Sequence, residues 1–350
     1  MVNPFTRRRL LTVTAAALGA TVFSLAGLPL PFLFGPMVAC LIAALAGAPL
    51  QGLGPISVGA RTILGVAVGA SVTPALLQQL PLMAASVALI PVYIVLIGLI
   101  GVPFFRRICG FDPITAYYAA MPGGLQDMVI FGEAAGADVR VLSLIHATRV
   151  LILVTIAPVL LSTLYGVALT NPIGAPASTI PLAELALMAA AALIGWKGGE
   201  RIGLFGASIL GPMIVTAVLS LAGLIHMRPP KEAILAAQFF IGMGIGVYYV
   251  GVTLRELRNV VAAGVAFVLV LAALAAGFTE LVTVTGLARP VEAFLAFAPG
   301  GQAEMTVLAI VAGADLGFVI THHLTRIILV ITGAPIVARM MGIRPDKPRH

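Results

Sequence analysis

The chain has 350 residues, 60% of them hydrophobic and only 9% charged, with a mean hydropathy of +1.11. No soluble globular chain needs that much apolar surface to fill a core; the bilayer is its solvent, and at roughly 20 residues per span it has room for about ten to twelve crossings and none for a separate soluble domain. The net charge of +7 sits in clusters at the ends of apolar runs, at Arg7 to Arg9, Arg106 and Arg107, Lys197 and Arg201, Arg255 and Arg258, and in the tail Arg339 to Arg349; this is a topology signal and excludes a nucleic-acid footprint.

The opening stretch RRRLLTVTAAALGATVFSLAG has the charged and apolar regions of a signal peptide. It lacks a convincing A-x-A site and many spans follow, so it reads as an uncleaved first helix. Apolar runs then predict spans near residues 10–27, 31–48, 56–72, 81–103 and 139–165, and a second set near 180–196, 203–225, 233–251, 259–282 and 315–338. Two shorter segments, about 112–135 and 289–312, are each interrupted by Pro-Gly-Gly. Cys40 and Cys109 lie in or beside apolar runs with no metal-site or disulfide spacing, and read as packing residues.

The two sets repeat one another. FGPMVA at Phe34 to Ala39 returns as LGPMIV at Leu210 to Val215, 176 residues on, and Gly65 and Gly69 return as Gly242 and Gly246, at 177. From Pro122 the offset of 177 holds without a gap: PGGLQDM (Pro122 to Met128) matches PGGQAEM (Pro299 to Met305), AGAD recurs at Ala135 and Ala312, and HATR (His146 to Arg149) matches HLTR (His323 to Arg326). Leu, Ile, Val and Ala recur everywhere in membrane segments, but Gly, Pro, Asp, His and Arg at one spacing do not, so the chain reads as a tandem duplication. Residues 1–165 form the first repeat, 166–180 a Pro-, Gly-, Ser- and Thr-rich linker and 181–350 the second, within one membrane domain.

Charge bears on orientation. If each Pro-Gly-Gly segment dips in and returns, each repeat has five crossings, the second is inverted, and the main basic clusters face the cytoplasm, with only Arg228, Lys231 and Arg289 outside. If it crosses fully, the repeats are parallel with six crossings each. The inverted arrangement is favoured, with both termini cytoplasmic in a bacterial inner membrane.

A Pro-Gly-Gly at membrane depth frees backbone groups that must face protein or a water-filled cavity. Pro122, Gly123 and Gly124, with Pro299, Gly300 and Gly301, are therefore candidate site residues, because half-helix N-termini at such breaks commonly border the substrate in secondary transporters. The competing reading is a tight connection between ordinary helices. Asp127 and Glu304 fall in the first turn after each break, as caps of exposed N–H groups or as proton or cation ligands. His146 with Arg149, and His323 with Arg326, share one face of a long apolar helix. Each arginine is expected either to pair with Asp127, Glu304, Asp138 or Asp315, or to receive an anionic solute; each histidine is a proton relay or a helix contact. The neighbouring His322 and His323 diverge by about 100 degrees, against a shared metal. Asp138 and Asp315 read as N-caps, and the Gly-Pro-Met elements as kinks or, preferably, close-packing sites.

The paired GPM elements, paired PGG-x-x-[DE]-M segments and paired H-x-T-R helices resemble the AbrB-type membrane proteins, a bacterial family of two tandem homologous halves, over about residues 10–340. That family carries two labels, regulator of gene expression and ammonia monooxygenase. Neither follows from the residues: five His and two Cys supply no convergent ligand cluster, and no polar segment is long enough for a nucleic-acid-binding domain. The expectation is an all-α transporter or permease, not an enzyme and without a cofactor. It would move a small solute, anionic or proton-coupled, with the site at the repeat interface; its partners would be the bilayer, the solute and H+ or a cation, with self-association open. The alternative is a membrane-embedded regulator acting through a ligand or partner.

Overall fold

The computed structural model describes residues 7–341 apart from 29, 170, 172–173 and 205–206, and within them not the side chains of 75, 126–127, 302–303 and 339. Every regular element among the described residues is helical. The first half of the chain gives α1 (Arg7–Leu25), α2 (Pro31–Leu45), α3 (Pro55–Gly69), α4 (Pro74–Val87), α5 (Leu89–Pro103), α6 (Pro113–Ala120), α7 (Leu125–Ala135) and α8 (Val139–Thr163). The second gives α9 (Leu182–Arg201), α10 (Ala207–Leu221), α11 (Lys231–Val247), the single turn α12 (Leu254–Glu256), α13 (Ala262–Val284), α14 (Pro290–Phe297), α15 (Gln302–Ala312) and α16 (Leu316–Met340). Two π-helical stretches, Phe104–Ile108 and Leu257–Val261, extend α5 and join α12 to α13.

Among the described residues five stretches are long and apolar enough to cross a bilayer: Leu76–Ile108, Val139–Thr163, Leu182–Arg201, Leu254–Val284 and Leu316–Ala338. The apolar helices α2, α3 and α10 have 15 residues each, about 22 Å at 1.5 Å per residue against a hydrocarbon core of roughly 30 Å. They fall short of the spans expected from hydropathy because hydropathy does not see the stops: Gly47, at φ 86, closes α2. Large apolar side chains such as Leu99, Leu193 and Leu269 point outward, while Arg149, Arg326, His146 and His323 are buried. Apolar outside and charge inside suits a bilayer.

The chain divides into two compact units, and each draws on both halves of the sequence. Unit 1 comprises Met1–Gln78 and Leu169–Val252, and so holds α1 to α3 and α9 to α11. In it α1 meets α2 through Gly19 against Gly35, and α9 meets α10 through Gly195 against Gly211, backbone to backbone. Helices α2 and α10 run unbroken through Pro36 and Pro212, so the Gly-Pro-Met elements serve close packing. The third helices cross over: Gly65 and Gly69 of α3 lie on Ile209 and Met213 of α10, while Gly242 and Gly246 of α11 lie on Leu33 and Met37 of α2. Glycine inside a helix costs about 1 kcal/mol relative to alanine, and close backbone approach offsets it.

Unit 2 comprises Gln79–Ala168 and Thr253–His350, and holds α5 to α8, α12 to α16 and the second part of α4. The segments expected to be interrupted are helix, break, helix: α6 and α7 around Pro122, α14 and α15 around Pro299. Asp138 caps α8 by accepting from the Val141 N–H at 3.0 Å, and Asp315 accepts from the Phe318 N–H at 3.1 Å at the start of α16, as their position before long helices predicts.

Candidate functional site

The breaks follow from local chemistry. A residue before proline is driven from the helical to the extended region, and Met121 (φ −66, ψ 133) and Ala298 (φ −55, ψ 126) have moved there, ending α6 and α14. The helices restart from Gly124 and Gly301, whose extended N-cap conformations carry no side-chain cap. The motif methionine folds back over the first glycine: a Cβ on Gly123 would lie 2.6 Å from Cε of Met128, and one on Gly300 2.6 Å from Cε of Met305.

Proline also removes a donor. In a continuous helix the N–H of residue 122 would bond to the carbonyl of Tyr118, and that of 299 to Leu295; proline has none. His146 Nε2 meets the Tyr118 carbonyl at 3.1 Å and His323 Nε2 meets the Leu295 carbonyl at 2.8 Å. Each histidine supplies the hydrogen bond its proline withholds. One helical turn on, Arg326 donates from Nη1 to the Ala298 carbonyl at 2.9 Å and from Nη2 to the Gly300 carbonyl at 3.0 Å. Arg149 does the same for Met121, at 3.2 Å, and Gly123. The H-x-x-R face therefore braces the broken strand of backbone that faces it.

The two halves differ at the histidine. Arg326 Nη2 also donates to His323 Nδ1 at 2.8 Å, whereas His146 Nδ1, in a residue fully buried, has no partner among the described residues. Arg326, 2% exposed, is held by neutral groups, and among the described residues no carboxylate pairs with it. The expected ion pair is thus not the arrangement of Arg326. The carboxylate of Glu304 lies over Gly301 at the start of α15, where the helix dipole favours negative charge. Asp127 is the third residue of α7, and its side chain lies outside what the structure describes. His322 sits between the Phe318 carbonyl (2.8 Å) and Ser86 Oγ (3.0 Å), so protein atoms occupy both its ring nitrogens.

All twelve candidate residues, Pro122, Gly123, Gly124, Asp127, His146, Arg149, Pro299, Gly300, Gly301, Glu304, His323 and Arg326, fall in unit 2. There α15 contacts α8 and α16 contacts α5, which mixes elements from the two halves of the chain. Tyr93 of α5 was not singled out from the sequence. Its hydroxyl donates to the Phe297 carbonyl at 2.8 Å, beside the second break, and it lies within electrostatic range of both Arg326 and Arg149. The available signal was a lone polar atom in the aliphatic run LIPVYIVLIGLIGVP.

Long apolar helices, buried charge and helix breaks braced from within define an all-helical protein that fits a membrane. Residues 32–342 match the model of the family described as "Transition state regulatory protein AbrB", and the chain belongs to that family. It is 26% identical to "Uncharacterized protein YhjN" of Bacillus subtilis (strain 168), covering 96% of this chain and 94% of that one. It is 25% identical to "Putative regulator AbrB" of Escherichia coli (strain K12), covering 91% of this chain and 92% of that one. No solved structure matches the chain.

Proposed function

We propose that this protein is a bacterial inner-membrane secondary transporter of a small anionic solute, coupled to protons or a cation, and not an enzyme. Its two halves are an inverted tandem duplication with both termini cytoplasmic, and its site is formed where the two Pro-Gly-Gly breaks lie in unit 2. One observation carries the reading: Arg326 is a buried guanidinium whose partners are neutral carbonyls and an imidazole. A full positive charge kept from water, with no carboxylate paired to it among the described residues, is costly, and an anion binding beside it would lower that cost. The starts of α7 and α15, whose glycine N-caps bring no side-chain hydrogen bond, place positive dipole ends at the same breaks, with the Glu304 carboxylate over the second. Matching hydrogen bonds at residues 177 apart support the duplication.

Uptake into proteoliposomes from pooled carboxylates, phosphates and amino acids, with and without a pH gradient, tests the proposal. Expected is saturable uptake of an anion that Glu304→Gln alters while the protein remains folded. No uptake difference from empty liposomes for any anion would overturn it. The second reading is a membrane-embedded regulator that binds a ligand without moving it, which the family description and the printed name of the E. coli relative favour. Unchanged fluxes, altered transcript levels on deletion and a co-purifying partner would select that reading.

A further inference from the structure

Gln238 of α11 is 1% exposed, and among the described residues neither its Oε1 nor its Nε2 has a hydrogen-bond partner. It belongs to unit 1, whereas every residue of the proposed transport site belongs to unit 2. A buried amide left wholly unpaired is expensive, and native proteins satisfy such groups with water or a ligand.

The place it points to is set by the glycine contacts. Gly242, one turn after Gln238, lies on the backbone of Leu33; Gly246, a further turn on, lies on Met37, Cys40 and Leu41. Helices α11 and α2 therefore run in the same direction, and one turn back from Leu33 is the start of α2, at Leu30 and Pro31. Side chains tilt toward the N-terminus of their helix, which aims the amide at the first turn of α2. That turn is the positive end of the α2 dipole. Its N-cap, Leu30, gives no side-chain hydrogen bond, and no acidic residue stands in the turn. Leu33 and Phe34 both donate to the Leu30 carbonyl, while Phe32 comes too early in the helix for its N–H to have an intrahelical acceptor. Leu30 itself holds a left-handed conformation, φ 48 and ψ 54, the one non-glycine positive φ among the described residues.

We propose that Gln238 and the first turn of α2 form a second binding site, for a small carboxylate that also carries a hydroxyl. The carboxylate takes the Nε2 and Phe32 N–H groups at the positive end of the helix, and the hydroxyl donates to Oε1. A simple anion would leave Oε1 unpaired, and a cation would meet the dipole with the wrong sign.

The test is thermal unfolding of the purified full chain in detergent against glycolate, with acetate and chloride at matched ionic strength. Expected is a saturating rise of a few degrees with glycolate, smaller with acetate and absent with chloride. Gln238→Leu should lose that response while unfolding at a higher temperature without ligand, since it removes an unpaired polar group. The side-chain amide 15N signal of Gln238 in the unmutated protein should shift with glycolate over the same concentrations, a readout that does not depend on how the variants fold. No glycolate-specific rise, a rise retained in Gln238→Leu, or an unmoved Gln238 signal overturns the proposal. The transport reading stands or falls separately, on solute uptake.

Discussion

The guanidinium of Arg326 lies 2.8 Å from Nδ1 of His323. Arginine only donates, so Nδ1 accepts and the ring proton sits on Nε2, facing the Leu295 carbonyl. The neighbour thereby fixes the tautomer of His323, while nothing among the described residues holds Nδ1 of His146. The two histidines occupy matching sequence positions yet differ in what they can still accept.

His323 and His146 should both show the Nε2–H tautomer by 15N NMR of histidine-labelled protein, with the Nδ1 resonance of His323 upfield because it accepts a hydrogen bond. Arg326→Met should bring the His323 resonance toward that of His146. Identical Nδ1 shifts in the unmutated protein would contradict the asymmetry.

Arg326→Lys should be poorly tolerated. A lysine ammonium cannot span the Ala298 and Gly300 carbonyls and His323 together, so acceptors are left unpaired at a cost of about 2–4 kcal/mol. Chemical unfolding in detergent would measure it. A change under about 0.5 kcal/mol, the range of ordinary surface substitutions, would show that the fork geometry is unimportant.

A double-mutant cycle can test whether His323 replaces the donor missing from Pro299. His323→Ala strips the Leu295 carbonyl of its partner. In a Pro299→Ala background a backbone N–H becomes available to that carbonyl, so the cost of His323→Ala should fall by about 1–2 kcal/mol. Additive effects would mean that the imidazole and the proline are not linked.

Unit 1 offers a comparison between two glycines on α11. A side chain at Gly242 meets the Leu33 backbone, whereas one at Gly244 meets open space. Gly242→Leu should destabilise by about 2–4 kcal/mol through overpacking and helix displacement, while Gly244→Leu should be neutral or stabilising by up to about 1 kcal/mol, from helix propensity. Equal effects on the unfolding midpoint would argue against close α11–α2 packing.

Much of this was legible beforehand. The helix breaks at Pro122 and Pro299 and the caps at Asp138 and Asp315 are local effects, written within four residues of sequence, and they stand where the pattern put them. The carbonyl and imidazole partners of Arg326 were not legible, because its sequence setting pointed to a carboxylate or an anionic solute. A carbonyl orphaned by proline carries no residue identity to recognise, though counting four back from each proline would have found Tyr118 and Leu295.

The sequence by itself determined the membrane class, the helices and the positions of their breaks, because hydropathy and backbone stereochemistry act over one or two turns. Only the tertiary structure decided that the imidazoles and guanidiniums brace the breaks, and that Tyr93 of the first half reaches the second break. It also decided that each compact unit draws on both halves of the chain. Those outcomes depend on contacts between residues about two hundred positions apart, such as Tyr93 and Phe297, which no pattern within one or two helical turns encodes.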